Sequence, residues 1–300
     1  MAESLLVRVR SRAIIPAHRR VRTILDGEYG SIHRGRSMEF DDLRDYVPGD
    51  DAKDIDWKAT ARHPTPLIKR YVAVRQHGLL LVVDTGREMA ALAEPTTTKR
   101  DLAIIAAGVL GQLAVRHGDL VGLIAGPGGT GPRGISHVPL GKGAAHLERI
   151  LRVIDRQAVL DGEPSALDGV LSEVARMVRR RLIVVVICGD DDITDRRSAL
   201  LRRLRAQHEL LMLTVADLAI VDAHLAPGAV RVLETGRRVP AFLGPRAGVH
   251  AELAEHDAAR QRALTAGLAA VGVAHARLRA EGDVVGDIIG LLERRRRARR

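Results

Sequence analysis

From residue 78 onward the chain carries apolar runs: Leu79–Val83, Leu120–Ala125 and Leu182–Cys188 hold no polar residue, and Leu210–Val215 holds only Thr214. A strand that covers a core on one face alternates apolar and polar residues. A strand with no polar residue has to be covered on both faces, which is the situation of a parallel sheet with helices on each side. Between the runs lie segments with helical periodicity at Lys99–Arg116, Ala144–Arg156, 166–179, 195–206, 250–270 and 283–297, with further strands at Ile135–Leu140 and Val271–Leu278. This order predicts a doubly wound, mostly parallel α/β domain over 77–300, preceded by an irregular N-terminal region over 1–76. Ser165 stands where an N-cap belongs for the helix after it.

Composition narrows what such a fold does. A single cysteine, Cys188, excludes a disulfide framework and a Cys-based zinc site, and its place in an apolar run predicts a buried, inert thiol. The longest uncharged apolar stretch, Leu102–Val115, has 14 residues, short of the roughly 20 that span a bilayer, and no secretory leader is visible. The expectation is a cytoplasmic protein. The net charge is +10, of which Arg294–Arg297, Arg299 and Arg300 carry +6 and residues 1–26 carry +4, so residues 27–293 are neutral. A nucleic-acid-binding fold places its positive charge on the folded face, so nucleic acid is not the expected partner. The arginine end reads as a solvated, frayed helix terminus.

In open α/β sheets ligands bind beyond the carboxyl ends of the strands, and two strand ends here are acidic. One gives Asp84-Thr85-Gly86-Arg87-Glu88 and the other Gly189-Asp190-Asp191-Asp192. These carboxylates and the Ser165 hydroxyl could converge on a hard cation, or Asp84 and Asp190–Asp192 could cap the helices that follow. Gly126–Gly131 matches G-x-G-x-x-G in form but leads into another strand, so it reads as a surface hairpin. There is no P-loop, no H-E-x-x-H and no G-x-S-x-G, and nothing assembles into a nucleophile or acid–base constellation.

The most specific text is an aromatic window. Five of the six aromatic residues (Tyr29, Phe40, Tyr46, Trp57 and Tyr71) lie within 43 positions, among turns and alternating charges. Residues 27–75 are turn-rich with weak periodicity, which predicts a segment held by ion pairs, such as Arg44 with Glu39, Asp41 and Asp42. The acids Asp54 and Asp56 would pair with Lys53, Lys58 and Arg62. With so few aromatics elsewhere, Phe40–Trp57 is expected to pack on the α/β domain. Aromatic and arginine anchors are equally the stuff of a protein-docking surface.

Ser37-Met38-Glu39-Phe40, Leu43-Arg44, Tyr46, Pro48–Asp51, Ile55–Trp57 and Thr60–Arg62 closely resemble the motif G-S-x-E-F-x-x-L-R-x-Y-x-P-G-D-D-x-x-x-I-D-W-x-x-(T/S)-A-R of the domain-of-unknown-function-58 family. The likeness continues through Asp84, Gly118-Asp119 and Leu182–Cys188 to the arginine-rich end. Many members carry two N-terminal membrane helices, and this chain looks like the short, soluble form. The resemblance implies a von Willebrand factor A-like fold. It also implies an adaptor or chaperone-like role with a MoxR-type AAA+ ATPase and a client protein, since members are typically encoded beside such ATPases.

The A-domain metal motif is Asp-x-Ser-x-Ser with a Thr and an Asp from two further loops. Asp84 matches the first Asp, Gly86 and Glu88 replace both serines, Ser165 could replace the Thr, and the last position falls on Gly189 or Asp190. The expectation is a degenerate site of Asp84, Glu88, Ser165 and Asp190, with no cofactor or with Mg²⁺ at low affinity. The residues expected to bind a partner or hold the motif together are Glu39, Phe40, Arg44, Tyr46, Pro48, Gly49, Asp50, Asp51, Asp56, Trp57 and Arg62. The reading is a non-catalytic binding protein. The alternatives are a metal-dependent hydrolase using Asp84, Glu88 and Asp190, and a nucleic-acid-associated protein using the arginine termini.

Overall fold

The structure, a computed structural model, describes residues 4–14, 39–47, 50–51, 53, 55–72, 77–129, 134–219, 231–233, 236–238 and 247–298. Its centre is a six-stranded sheet in the order β10-β9-β8-β3-β6-β7. The strands are β3 (Gly78–Asp84), β6 (Leu120–Gly126), β7 (Ser136–Gly141), β8 (Ile183–Gly189), β9 (Glu209–Val215) and β10 (Ala274–Leu278). All neighbours are parallel except the edge strand β7, which returns antiparallel along β6. The glycine-rich loop therefore joins two antiparallel strands.

Every residue of β3 and of β8 is buried. The pleat sorts them into two cores. Leu79, Leu81, Val83, Val185 and Ile187 point into one layer, with Leu102, Ile105, Leu147, Ile150 and Leu291 of three helices. These are α3 (Lys99–Arg116), α4 (Ala144–Gln157) and α8 (Val284–Ala298). Leu80, Val82, Val184, Val186 and Cys188 point into the other, with Val170, Leu171, Leu204 and Leu268. That layer is made by α5 (Leu167–Met177), α6 (Asp195–Gln207) and α7 (Ala247–Ala270). The doubly wound sheet expected from the apolar runs is present.

Several expectations need correction. Helix α1 (Leu5–Ile14), assigned on sequence to the N-terminal region, belongs to the first core through Leu5, Leu6 and Val9. The arginine end is not simply frayed: Arg295 is 4% exposed and its Nε donates to Glu209 Oε1 at 2.7 Å, while Arg294 Nη2 donates to the His275 carbonyl at 3.0 Å. The carboxylates do not cap the following helices. Thr98 caps α3 in a capping box with Asp101, and Thr194 caps α6 through a bond from the Arg197 amide. At α5 the capping position is Ala166, not Ser165.

The motif region contains regular structure that its charged sequence hides. Strands β1 (Glu39–Asp45) and β2 (Leu67–Val72) pair antiparallel, with a bulge between Phe40 and Asp42. Between them lies the single turn α2 (Trp57–Thr60), and Ile55 bridges to buried Ile68. Pro48, Gly49, Asp54 and residues 15–38 lie outside the described residues.

Candidate functional site

Two places were expected to carry function, and they are built differently. In the β1–β2 hairpin, Arg44 pairs with Asp50 at 2.7 Å, and Asp50 also accepts from the Val47 amide at 3.0 Å. Asp51 lies beside Lys53 at 3.6 Å. The Tyr46 amide donates to the Pro66 carbonyl at 2.8 Å, and Asp56 uses its carboxylate to cap α2 through the Lys58 and Ala59 amides, both at 3.0 Å. Thr60 Oγ1 accepts from the Leu67 amide at 2.9 Å, tying the turn to β2. The backbone under Trp57 is thus fixed by specific bonds. Its indole, expected in the core, is 69% exposed, and Arg62 is exposed one turn further on. Glu39 and Phe40 form the start of β1.

The second place is the carboxyl end of the sheet, where Asp84, Glu88, Ser165 and the β8 end do come together. Asp84 closes β3 at 1% exposure and accepts from the Gly86 amide at 2.8 Å. The segment carrying Ser165 is stitched to both neighbouring strand ends. Arg87 donates to the Glu163 carbonyl at 2.8 Å and Ala166 to the Pro127 carbonyl at 2.6 Å. Side-chain space then dictates two glycines: a Cβ at Gly86 would collide with Ser165, and one at Gly189 would collide with the Glu88 carboxylate. At the first serine position of the A-domain motif, Gly86, the space is thus filled by Ser165, and at the second, Glu88 reaches to Gly189.

Glu88 is not open to a metal. Lys99, fully buried at the start of α3, places Nζ 2.6 Å from Glu88 Oε1 and 2.6 Å from Asp217 Oδ1, just beyond the β9 end. Burial opposes the Lys99 charge, but Asp217 and Glu88 outweigh it and hold the ammonium above its ordinary pKa. Burial also pushes the Glu88 carboxyl up, with Lys99 pulling the other way. The acid run of β8 is engaged as well. Arg277 binds Asp190 Oδ2 and, through a fork at 2.8 and 2.9 Å, Asp257; Arg260 donates to the Asp190 carbonyl; Arg197 lies 3.4 Å from Asp191. Lys99, Asp217 and Arg277 were not singled out on sequence. One signal was present: a lysine in the first turn of a helix opposes the macrodipole and needs acidic partners.

Asp84 remains. Burial first, then the nearby charges of Glu88 and Asp191, raise its pKa to about 7 against the Gly86 bond. Its Oδ2, Thr85 Oγ1 and Ser165 Oγ are buried without a hydrogen-bond partner. The fold family implies Mg²⁺ here, and the fit is poor: one carboxylate and two neutral hydroxyls, with every other acid of the strand ends already paired to a cation of the protein. A proton on Asp84 removes the charge that burial opposes here. Among the described residues no group of three His, Cys, Asp or Glu is placed to hold a metal ion.

The parallel sheet with one antiparallel edge and helices on both faces is a doubly wound α/β fold of the von Willebrand factor A-like kind, with its strand-end centre built on Asp84, the last residue of β3. The chain belongs to the family described as a protein of unknown function, DUF58, whose model matches residues 42–239. Uncharacterized proteins of Mycobacterium bovis and Mycobacterium tuberculosis are 28% identical over 199 residues, 65% of this chain. The match spans 60% of those relatives' length. Among solved structures, an aerotolerance-related membrane protein from Bacteroides fragilis is 13% identical, covers 73% of this chain and 99% of that one, and superposes with a TM-score of 0.44. A von Willebrand factor type A protein from Catenulispora acidiphila is 10% identical, covers 74% and 43%, and has a TM-score of 0.41.

Proposed function

We propose that the chain is a non-catalytic docking protein that presents the Trp57 hairpin to a MoxR-type AAA+ ATPase and so couples that machine to a client protein. The observation that carries this reading is Trp57 itself: the only tryptophan, 69% exposed, on a turn fixed by Asp56 and Thr60. A rigidly mounted indole in water contributes little to folding and is the kind of anchor that dominates interface energetics. The choice of partner rests on the family resemblance, and a cytoplasmic location goes with it.

The strand ends support a role without catalysis. Glu88, Asp190 and Asp191 are each committed to a basic partner within the fold, which leaves the hydrolase alternative with Asp84 alone, itself 1% exposed. The nucleic-acid alternative loses Arg295, which is held against Glu209.

The test is equilibrium binding between the purified chain and the MoxR-type ATPase of the same genome. Trp57→Ala should weaken binding at least 10-fold, the scale of a hot-spot residue, while Asp84→Asn should leave it unchanged. Equal affinity for wild type and Trp57→Ala, or no complex at all, would contradict the reading.

A further inference from the structure

At the opposite end of the sheet, where β9 and β10 begin, there is a cavity of about 720 Å³. Its volume falls in the range of small-molecule sites, and Leu210, Val273 and Ala269 give it apolar walls. Its charge is one-sided. Arg181, Arg205, Arg294 and Arg295 line it against a single carboxylate, Glu209, which is already engaged by Arg295 at 2.7 Å. Arg205 spends one donor on the Gly272 carbonyl at 2.8 Å and Arg294 one on the His275 carbonyl. A guanidinium carries five donors, so most of the N–H groups around this cavity are left for something else.

Two of the unfilled donors are buried. Arg295 Nη2 has no partner although the residue is 4% exposed. His208, 2% exposed, accepts from the Leu182 amide through Nδ1 at 3.4 Å, so the ring proton belongs on Nε2. That Nε2 is also buried without a partner. Burial, with Arg181 adding to it, lowers the His208 pKa, which keeps the ring a neutral donor. A buried donor left unmade is expensive, and two of them beside guanidiniums with donors to spare call for an acceptor.

We propose that this cavity binds the phosphate group of a small organic phosphate. A tetrahedral dianion offers acceptor oxygens in several directions, which suits guanidinium forks converging from β8's approach, α6 and α8. The apolar wall takes the ligand's organic part. The site is separate from both the Trp57 hairpin and the Asp84 centre, so it stands or falls independently of the docking reading.

The probe is sodium pyrophosphate, titrated calorimetrically into the full chain at constant ionic strength. Arg181 and Arg205 are exposed, so replacing them leaves the core intact, which circular dichroism verifies. The expected result is saturable one-to-one binding, weakened at least 10-fold by Arg181→Ala and by Arg205→Ala and unaffected by Arg62→Ala on the hairpin. The imidazole signals of His208 should move on saturation while those of His63 stay still. No saturable binding, or the same loss with Arg62→Ala, would overturn the proposal. So would tighter binding of citrate, which would make it a carboxylate site, or of a 12-nucleotide single strand, which would make it a nucleic-acid surface.

Discussion

Asp84 is a carboxylate placed where burial works against its charge, and its consequences are measurable. With its pKa raised from 3.8 to about 7, the folded protein holds a proton that the unfolded chain releases. The stabilising contribution is therefore complete below the unfolded value and is lost as pH rises through 7, at on the order of 1.4 kcal/mol per pH unit within that window. Asp84→Asn mimics the neutral form, so denaturant titrations should show the variant gaining on wild type from pH 4 to 7 and levelling off above that; parallel curves would refute the assignment. Lys99 works in the opposite sense, since its charge is required. Lys99→Met strands Glu88 in a buried position and should cost about 3–5 kcal/mol. Adding Glu88→Gln should recover much of that loss, and a double variant no more stable than the single one would mean the pair is not the reason.

The elements were legible from the sequence where physics is local. Unbroken apolar runs fix β3 and β8, and a run interrupted only by Thr214 fixes β9, because only a sheet covered on both faces tolerates them. The hairpin escaped because Asp41, Asp42 and Arg44 interrupt any apolar pattern in β1, and its partner strand is more than twenty residues away. The candidate site was half legible for the same reason. Asp84, Glu88 and Asp190 were marked by standing at or beside strand ends, whereas the pairing of Glu88 with Lys99 and of Asp190 with Arg277 depends on long-range placement that spacing does not reveal. Helix α8 shows the cost of reading charge by type: a run of arginines looked solvated, yet Arg295 is held at 5% side-chain exposure against Glu209. Deleting residues from Arg294 onward should then cost more than about 2 kcal/mol in chemical denaturation, the scale expected for breaking a buried pair. A truncated chain as stable as the parent would show the contact to be idle.

At the scale of the molecule, the account separates an α/β body, whose strand-end acids Glu88, Asp190 and Asp191 are paired internally, from a hairpin that carries its one tryptophan outward. Intrinsic fluorescence reads this separation directly. With Trp57 69% exposed, emission should lie at the wavelength of free indole in water and be readily quenched by acrylamide; a blue-shifted, protected spectrum would place the ring in a core. The central claim concerns the body: the charge that an A-domain centre takes from a metal is supplied here by the Lys99 ammonium and by the proton on Asp84. Calorimetric titration of Mg²⁺ and Mn²⁺ into the full chain at pH 7 tests it most directly. The expected result is no saturable heat below roughly millimolar concentration, because Mg²⁺ demands near-octahedral oxygen ligands that one carboxylate and two hydroxyls do not complete. A stoichiometric micromolar site that disappears in Asp84→Ala would contradict the account.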